Sequence, residues 1–469
     1  MSAQTKMSFW TFVGVTMALC ANVRSIPSLA AAGWQLVPYL LFAIVFVAMP
    51  MTAMCGELSS MYPGEGGLQL WVQEGLGKKW GFVTAWIVWA QMFPGMVMVA
   101  STLGPNFGNA IGDPVLANNH WFVFGCIVVI YWIITVLNLK FDMAKFGGSI
   151  GVWLGVYIPC LMLLVLGSLT CMKIGITNTG YLGTFSWSAL VPDLSNVETL
   201  KYLTAIVFIF VGIEMSSVYV PRMEEPAKYV KGVFISVLGL IAINLLNGLL
   251  VANIVPKGTI ELANITQPIA IECQILGIPS IFVNIFGFMV FFGVMLQLSA
   301  WVTGPSKTIT AIAKQGMVPK WLGFHKVNKF GVSRNVVLTQ SIMITLFSLL
   351  FAFIDDVNGV FLVLTNSTTI VYCFVYILIA IAFVKLRYMR PDAERAYKLG
   401  GPGKGNVQAW IAAILEVAGI IFAAGTTLLT SSFRDTCIVS LCSIVLILIP
   451  LFIYANKKPE WMPDSSELQ

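Results

Sequence analysis

Long apolar runs, each ended by a short polar stretch, recur from one end of this chain to the other. The run FLVLTNSTTIVYCFVYILIAIAF near residue 361 is typical: it is apolar all round, without the two-residue alternation of a half-buried strand. Twelve such runs fall at residues 9–31, 36–59, 81–103, 120–139, 147–170, 201–221, 233–254, 279–302, 336–353, 360–384, 408–430 and 437–455. A helix of about 18 to 25 such residues crosses a hydrocarbon layer of about 30 Å. Strands of a membrane barrel would alternate apolar and polar positions, so the pattern predicts an all-α polytopic membrane protein of twelve transmembrane helices.

Composition agrees with this. Of 469 residues, 58% are hydrophobic and 10% charged, and the mean hydropathy is +0.86. That is too little polar surface to cover a soluble globule. The lysines and arginines sort by loop as well. With a cytoplasmic amino terminus, 22 of the 27 fall on the inner side, and only Lys173, Lys201, Lys257 and Arg434 on the outer; Arg24 lies inside the first run. Basic residues collect on the cytoplasmic side of membrane proteins, so the expected topology has both termini cytoplasmic, in a cell (plasma) membrane.

The net charge of +6 is therefore a topology signal, dispersed among loops and poorly suited to nucleic acid. A cleaved signal peptide is the rival for the first run, but Arg24 and Pro27 interrupt it where cleavage would follow, and its loss would invert the charge pattern. Nine scattered cysteines with no CxxC pair, and two histidines, His120 and His325, offer no metal cluster or disulfide framework. No cofactor is expected. Neither is enzyme chemistry, because no nucleophile with a nearby base and no phosphate loop appears.

No linker divides the chain, so 1–469 reads as one membrane domain. Runs one to five (8–170) and six to ten (200–384) form two sets of five, and because five is odd the second set runs inverted; 407–455 adds two further helices. Each half has one interrupted run. The first breaks at Ala21-Asn22-Val23-Arg24-Ser25-Ile26-Pro27 and the sixth at Val211-Gly212-Ile213-Glu214-Met215-Ser216-Ser217. Paired discontinuous helices mark a transporter's binding site, since unwound backbone is tolerated in a membrane only beside protein or a polar cavity.

The downstream part of the first helix is expected to start near Pro27 and present a positive end to a carboxylate. The upstream part of the sixth is expected to end near Val211 and Gly212, with carbonyls suited to an ammonium group. Arg24 and Glu214 are the charges nearest mid-membrane. Either they pair with each other or they face a substrate or protons. Glu57, closing the second run, is expected to reach interfacial water or a loop cation, with a gating role as the alternative. Glu416 is expected to pair locally or face a neighbouring helix. Phe208 and Trp301 are aromatic candidates for gating or cation–π contact against simple packing. Gln91 and Thr365-Asn366-Ser367 are polar candidates against plain interhelical hydrogen bonding.

Three motifs, CGELSSMYPGEGGLQLWV after the second run, FVGIEMSSVYVPRMEEP through the sixth and WVTGPSKTITAIAKQGMVPKWL after the eighth, make nearly the whole chain resemble the amino acid–polyamine–organocation permeases, most closely the glutamate/GABA antiporter group. The resemblance implies ten helices in two inverted repeats, two further helices and alternating access. It puts Glu214 in the place of the family's gate or coupling glutamate, Phe208 in that of an outer aromatic gate, and Trp301 in that of the eighth-helix tryptophan. Departures go with it. NVRSIP stands where many relatives have Gly-Ser-Gly, Arg24 has no counterpart in the glutamate/GABA exchangers and so bears on charge selectivity, and Ser333 stands where many relatives have proline.

The expected function is secondary-active amino-acid transport, by exchange of an amino acid for a related amino acid or its decarboxylated amine. The alternative is proton-driven uptake with Glu214 as carrier; a channel or substrate receptor is a third class. The expected partners are a small amino acid or amine, the lipid bilayer and, in the alternative, protons. Tyrosine with tyramine, histidine with histamine, agmatine with putrescine and glutamate with GABA all stay open as substrate pairs, and the sequence leaves the oligomeric state open.

Overall fold

The structure, a computed structural model, describes residues 6–20, 23–62, 67–141, 150–177, 179–401 and 405–464. Among them are eleven helices long and apolar enough to cross a membrane: Gly33–Met61, Lys78–Ala110, His120–Lys140, Trp153–Ile174, Val197–Ser217, Pro226–Ile254, Ile281–Lys314, Arg334–Phe353, Val357–Met389, Val407–Thr430 and Phe433–Ala455. They correspond in order to the second through twelfth expected spans. The protein is a multi-pass helical membrane protein.

The first expected span has a different form. An α-helix covers Phe9–Cys20, a 3-10 turn Val23–Ser25 and a short α-turn Ile26–Ala30. Pro27 sits in the first turn of that last piece, where its missing N–H costs nothing. The expected downstream half-helix is thus only five residues long. It runs through a second 3-10 turn, Gly33–Gln35, into the second span. Tightness explains Gly33, whose φ is +56° and whose missing Cβ would lie 2.6 Å from the carbonyl oxygen of Tyr181.

The second span contains a wide turn that sequence pattern did not anticipate. Residues Ile44–Ala48 are π-helical, and the N–H of Met49 reaches back to the carbonyl of Ile44. Pro50, with no N–H of its own, follows immediately, and the widened turn passes the helix across that missing donor. The sixth span departs most. Its α-helix stops at Phe208, three residues before the expected end near Val211. From there the N–H groups of Ile209, Phe210 and Val211 bond three residues back, to Ile206, Val207 and Phe208. Gly212 then takes a left-handed φ of +104°, and a 3-10 helix, Ile213–Arg222, completes the span.

The third and tenth spans lie deepest; the twelfth is the most open to lipid. Apolar side chains such as Leu161, Ile285 and Phe452 face outward and are exposed, as a bilayer solvent requires. Where the fifth and eighth spans cross, small residues let the backbones touch. A Cβ on Gly293 would lie 2.2 Å from the backbone nitrogen of Gly155, and one on Gly155 would lie 2.8 Å from the carbonyl carbon of Gly293. Close approach of this kind drives helix association in lipid.

Replacing Gly293 by alanine should therefore lower stability by about 1 to 3 kcal/mol, the usual cost of overpacking. Gly304→Ala on the same helix, where a Cβ meets nothing within 4 Å, should be close to neutral. Melting temperatures of the two variants in one detergent test this, and equal melting would contradict the crossing.

Candidate functional site

The break in the sixth span creates the site. Gly212 frees a backbone N–H, and the side chain of Glu214, two residues on, turns back to accept it at 3.1 Å. Glu214 is fully buried. Its other partners come from the tenth span: the Tyr372 hydroxyl donates to Oε1 and the Tyr376 hydroxyl to Oε2 at 2.5 Å. Tyr372 and Tyr376 stand one helical turn apart, so both rings reach the same carboxylate. Every hydrogen-bond partner of Glu214 among the described residues is neutral.

Arg24 is buried also, on the 3-10 turn Val23–Ser25, and its Nη1 donates to Oε1 of Gln297 on the eighth span at 2.5 Å. Glu214 and Arg24 do not form an ion pair with each other among the described residues; each is held by a different helix. Trp301 lies one turn beyond Gln297 on the same face of the eighth span and is 39% exposed. Val23 and Ser25 are buried beside Arg24. Asn22, the remaining candidate of the first break, lies outside the described residues.

Phe208, Val211 and Gly212 are half-buried around the end of the α-helical part of the sixth span. Gln91, at the kink between the helical segments Lys78–Ala90 and Met92–Ser101, is buried and donates to the carbonyl of Val88 at 3.2 Å. Thr365 spends its hydroxyl on the carbonyl of Phe361 at 2.8 Å. Asn366 and Ser367 are buried next to it, and Oδ1 of Asn366 has no hydrogen-bond partner among the described residues. Thr365, Thr368, Tyr372 and Tyr376 follow one another at spacings of three and four along the tenth span, and so share a face.

Glu57, expected to reach interfacial water or a loop cation, is fully buried and meets two arginines, the loop residue Arg395 and Arg387 of the tenth span. Arg387, from the end of the tenth span, donates Nε to Oε1 at 2.9 Å and Nη2 to Oε2 at 2.5 Å. Arg395 stands 3.0 Å from Oε1, and the backbone N–H of Leu399 donates to Oε2 at 2.9 Å. Chain folding brings a cation from a span as well as the expected one from a loop, because a carboxylate at this depth needs full pairing. Glu416, expected to pair locally or face a neighbouring helix, is buried against the Met51 backbone of the second span and lies within electrostatic reach of Glu214. Of the histidines, His120 meets the carbonyl of Phe351 through Nδ1 at 2.8 Å and His325 is buried in a loop.

Tyr372, Tyr376, Gln297 and Arg387 were not singled out from the sequence. The two tyrosines four apart and the lone glutamine in an apolar run were the available signals.

The fold is that of a multi-pass membrane protein, with a buried carboxyl at the break of one helix and a buried guanidinium at the break of another. The chain belongs to the amino acid permease family, whose model matches residues 7–455, and so to the amino acid–polyamine–organocation superfamily. It is 28% identical, over 87% of its length and 86% of the relative's, to an uncharacterized transporter of Legionella pneumophila. It is 27% identical, over 86% of its length and 79% of the relative's, to the glutamate/gamma-aminobutyrate antiporter of Lactococcus lactis. To a probable agmatine/putrescine antiporter of the same species it is 22% identical, over 89% and 88%. The family and its relatives' names are those of transporters.

The Glu57 cluster yields a stability prediction. In Glu57→Gln the buried guanidiniums of Arg387 and Arg395 lose their counter-charge, which should cost about 3 to 5 kcal/mol. Thermal unfolding in detergent measures it, and a loss within 1 °C of the parent's melting temperature would show the pairing to be dispensable.

Proposed function

We propose that this protein is an antiporter that exchanges an amino acid for a related amino acid, or for the amine left by its decarboxylation, through alternating access. The observation that carries the reading is the seat of Glu214, a buried carboxylate at a helix break whose hydrogen-bond partners are phenols and a backbone amide. Such an anion attracts a cation into the cavity, and an ammonium group is the one feature that an amino acid and its amine share. A carboxylate is the feature in which they differ; Arg24 and the short turn Ile26–Ala30 are its natural counterpart, with Val23 and Ser25 beside Arg24 and Asn22 assigned to the same site on sequence grounds alone.

The remaining candidates take supporting roles in this reading. Phe208 and Trp301 gate the two ends, Val211 and Gly212 offer backbone groups to the ammonium, and Gln91, Thr365 and Asn366 line the opposite wall. Glu57 closes the cytoplasmic side. The relatives named as antiporters support exchange, and the lysine and arginine distribution supports a plasma-membrane protein with cytoplasmic termini, twelve spans and two inverted repeats of five. Proton-driven uptake is the second reading, favoured by the phenol-bound carboxyl of Glu214, which can take up and release a proton without a fixed counter-charge.

Counterflow in liposomes decides between them. Purified protein should take up labelled amino acid only into vesicles preloaded with a member of one exchange pair, and Glu214→Gln should slow exchange about 10- to 100-fold, the worth of a lost charged hydrogen bond. Uptake into empty vesicles that accelerates with an inward proton gradient would replace exchange by the second reading.

A further inference from the structure

A second buried carboxyl has no part in the site above. The helix Thr266–Leu276 lies between the seventh and eighth spans, on the face opposite the lysine- and arginine-rich loops, and is not one of the membrane-crossing helices. It is tied down at both ends. Thr266 donates its hydroxyl to Oδ1 of Asn106 at 2.6 Å, and Asn109 of the same third span donates to Oδ1 of Asn264 at 3.2 Å. At the other end Lys173, from the fifth span, donates to the carbonyl of Ile275 at 2.7 Å. The helix therefore links the third span to the fifth, seventh and eighth.

Between these ties Glu272 points inward. It has no solvent exposure, and neither carboxyl oxygen has a hydrogen-bond partner among the described residues. Its seat is a notch at Gly167 of the fifth span: a Cβ there would lie 3.1 Å from Oε1 of Glu272 and 3.1 Å from Cβ of Leu250 on the seventh span. The ionisable neighbours are few. Cys273 is adjacent on the same helix, Cys171 and Lys173 belong to the fifth span, and the lysine is turned to the Ile275 carbonyl. The facing stretches of the third, seventh and eighth spans, 103–110, 243–254 and 281–306, contain no ionisable side chain; their polar residues, such as Asn247, are neutral. A carboxylate anion in this notch has no counter-charge and no donor, whereas the neutral acid fits at far lower cost.

We propose that Glu272 is a proton-binding site distinct from Glu214, whose bound proton lets the helix Thr266–Leu276 seat between the fifth and seventh spans and whose release drives that helix out. Closure of this face then follows the acidity of the solution on its side, which places a pH sensor at the junction of the two halves of the protein. Burial pushes the carboxyl from its ordinary 4.5 up to about 9 in the seated helix. The seated form thus holds the proton more tightly than the released form. The stabilisation of docking is full below the released value of 4.5, falls as pH rises, and has gone by about 9.

Hydrogen–deuterium exchange of the peptide spanning 266–276, in the full protein in lipid nanodiscs and corrected for intrinsic rates, reads this opening directly. Protection should fall by up to about tenfold per pH unit across the window. Glu272→Gln, a permanent mimic of the neutral acid, should stay protected with no such slope, and Glu261→Gln, in the preceding loop, should keep it. Gly167→Ala crowds the seat and should lower protection at every pH while leaving the slope in place. A parent protein without the slope, or a Glu272→Gln variant that retains it, would overturn the proposal.

Discussion

A peptide group that leaves its helix inside a membrane must find a hydrogen-bond partner, because lipid offers none and each unmet group costs several kcal/mol. The rest of the site follows from how this chain meets that demand at Gly212. The side chain of Glu214 curls back onto the freed N–H, and this fixes the carboxylate beside the break. The carboxylate in turn needs donors, and the tenth span brings Tyr372 and Tyr376. At the other break Arg24 is held through Gln297 of the eighth span. The two irregular segments are thereby fastened to two different regular helices, and a relative motion of those helices changes the distance between the two charges.

Two buried glutamates show how the same group serves opposite ends. Glu57 is surrounded by Arg387, Arg395 and a backbone N–H; its charge is fully answered, and it joins the second span to the end of the tenth. Glu214 is met by phenols and an amide, so no cation stands among its described hydrogen-bond partners. A buried charge that is fully paired stiffens a structure at little net gain, whereas one left uncancelled is available to a ligand.

The eleven membrane-crossing helices were legible because lipid imposes so simple a rule on sequence: long apolar runs separated by polar connections. The break in the sixth span was legible from Gly212 and Glu214 together, a residue that permits left-handed backbone followed by a charge at mid-membrane depth. Its extent was not, since the tightened turns from Ile209 to Val211 leave no mark in residue type. The partners were hidden for a different reason. Tyr372 lies 158 residues from Glu214 and Arg387 lies 330 from Glu57, and tyrosines or arginines at helix ends are ordinary in membrane proteins. The π turn of the second span, next to Pro50, was not legible either, because hydrophobic periodicity does not register one widened turn.

The account rests on one claim, that the uncancelled carboxylate of Glu214 reads the ammonium group of its substrate. Competition binding to the purified protein in nanodiscs tests it most directly, with three ligands derived from the best-exchanged amino acid: that amino acid, its decarboxylated amine and its deaminated acid. The amine should compete and the deaminated acid should not, and Glu214→Gln should erase the difference. Competition by the deaminated acid as strong as by the parent amino acid, with none by the amine, would contradict the claim.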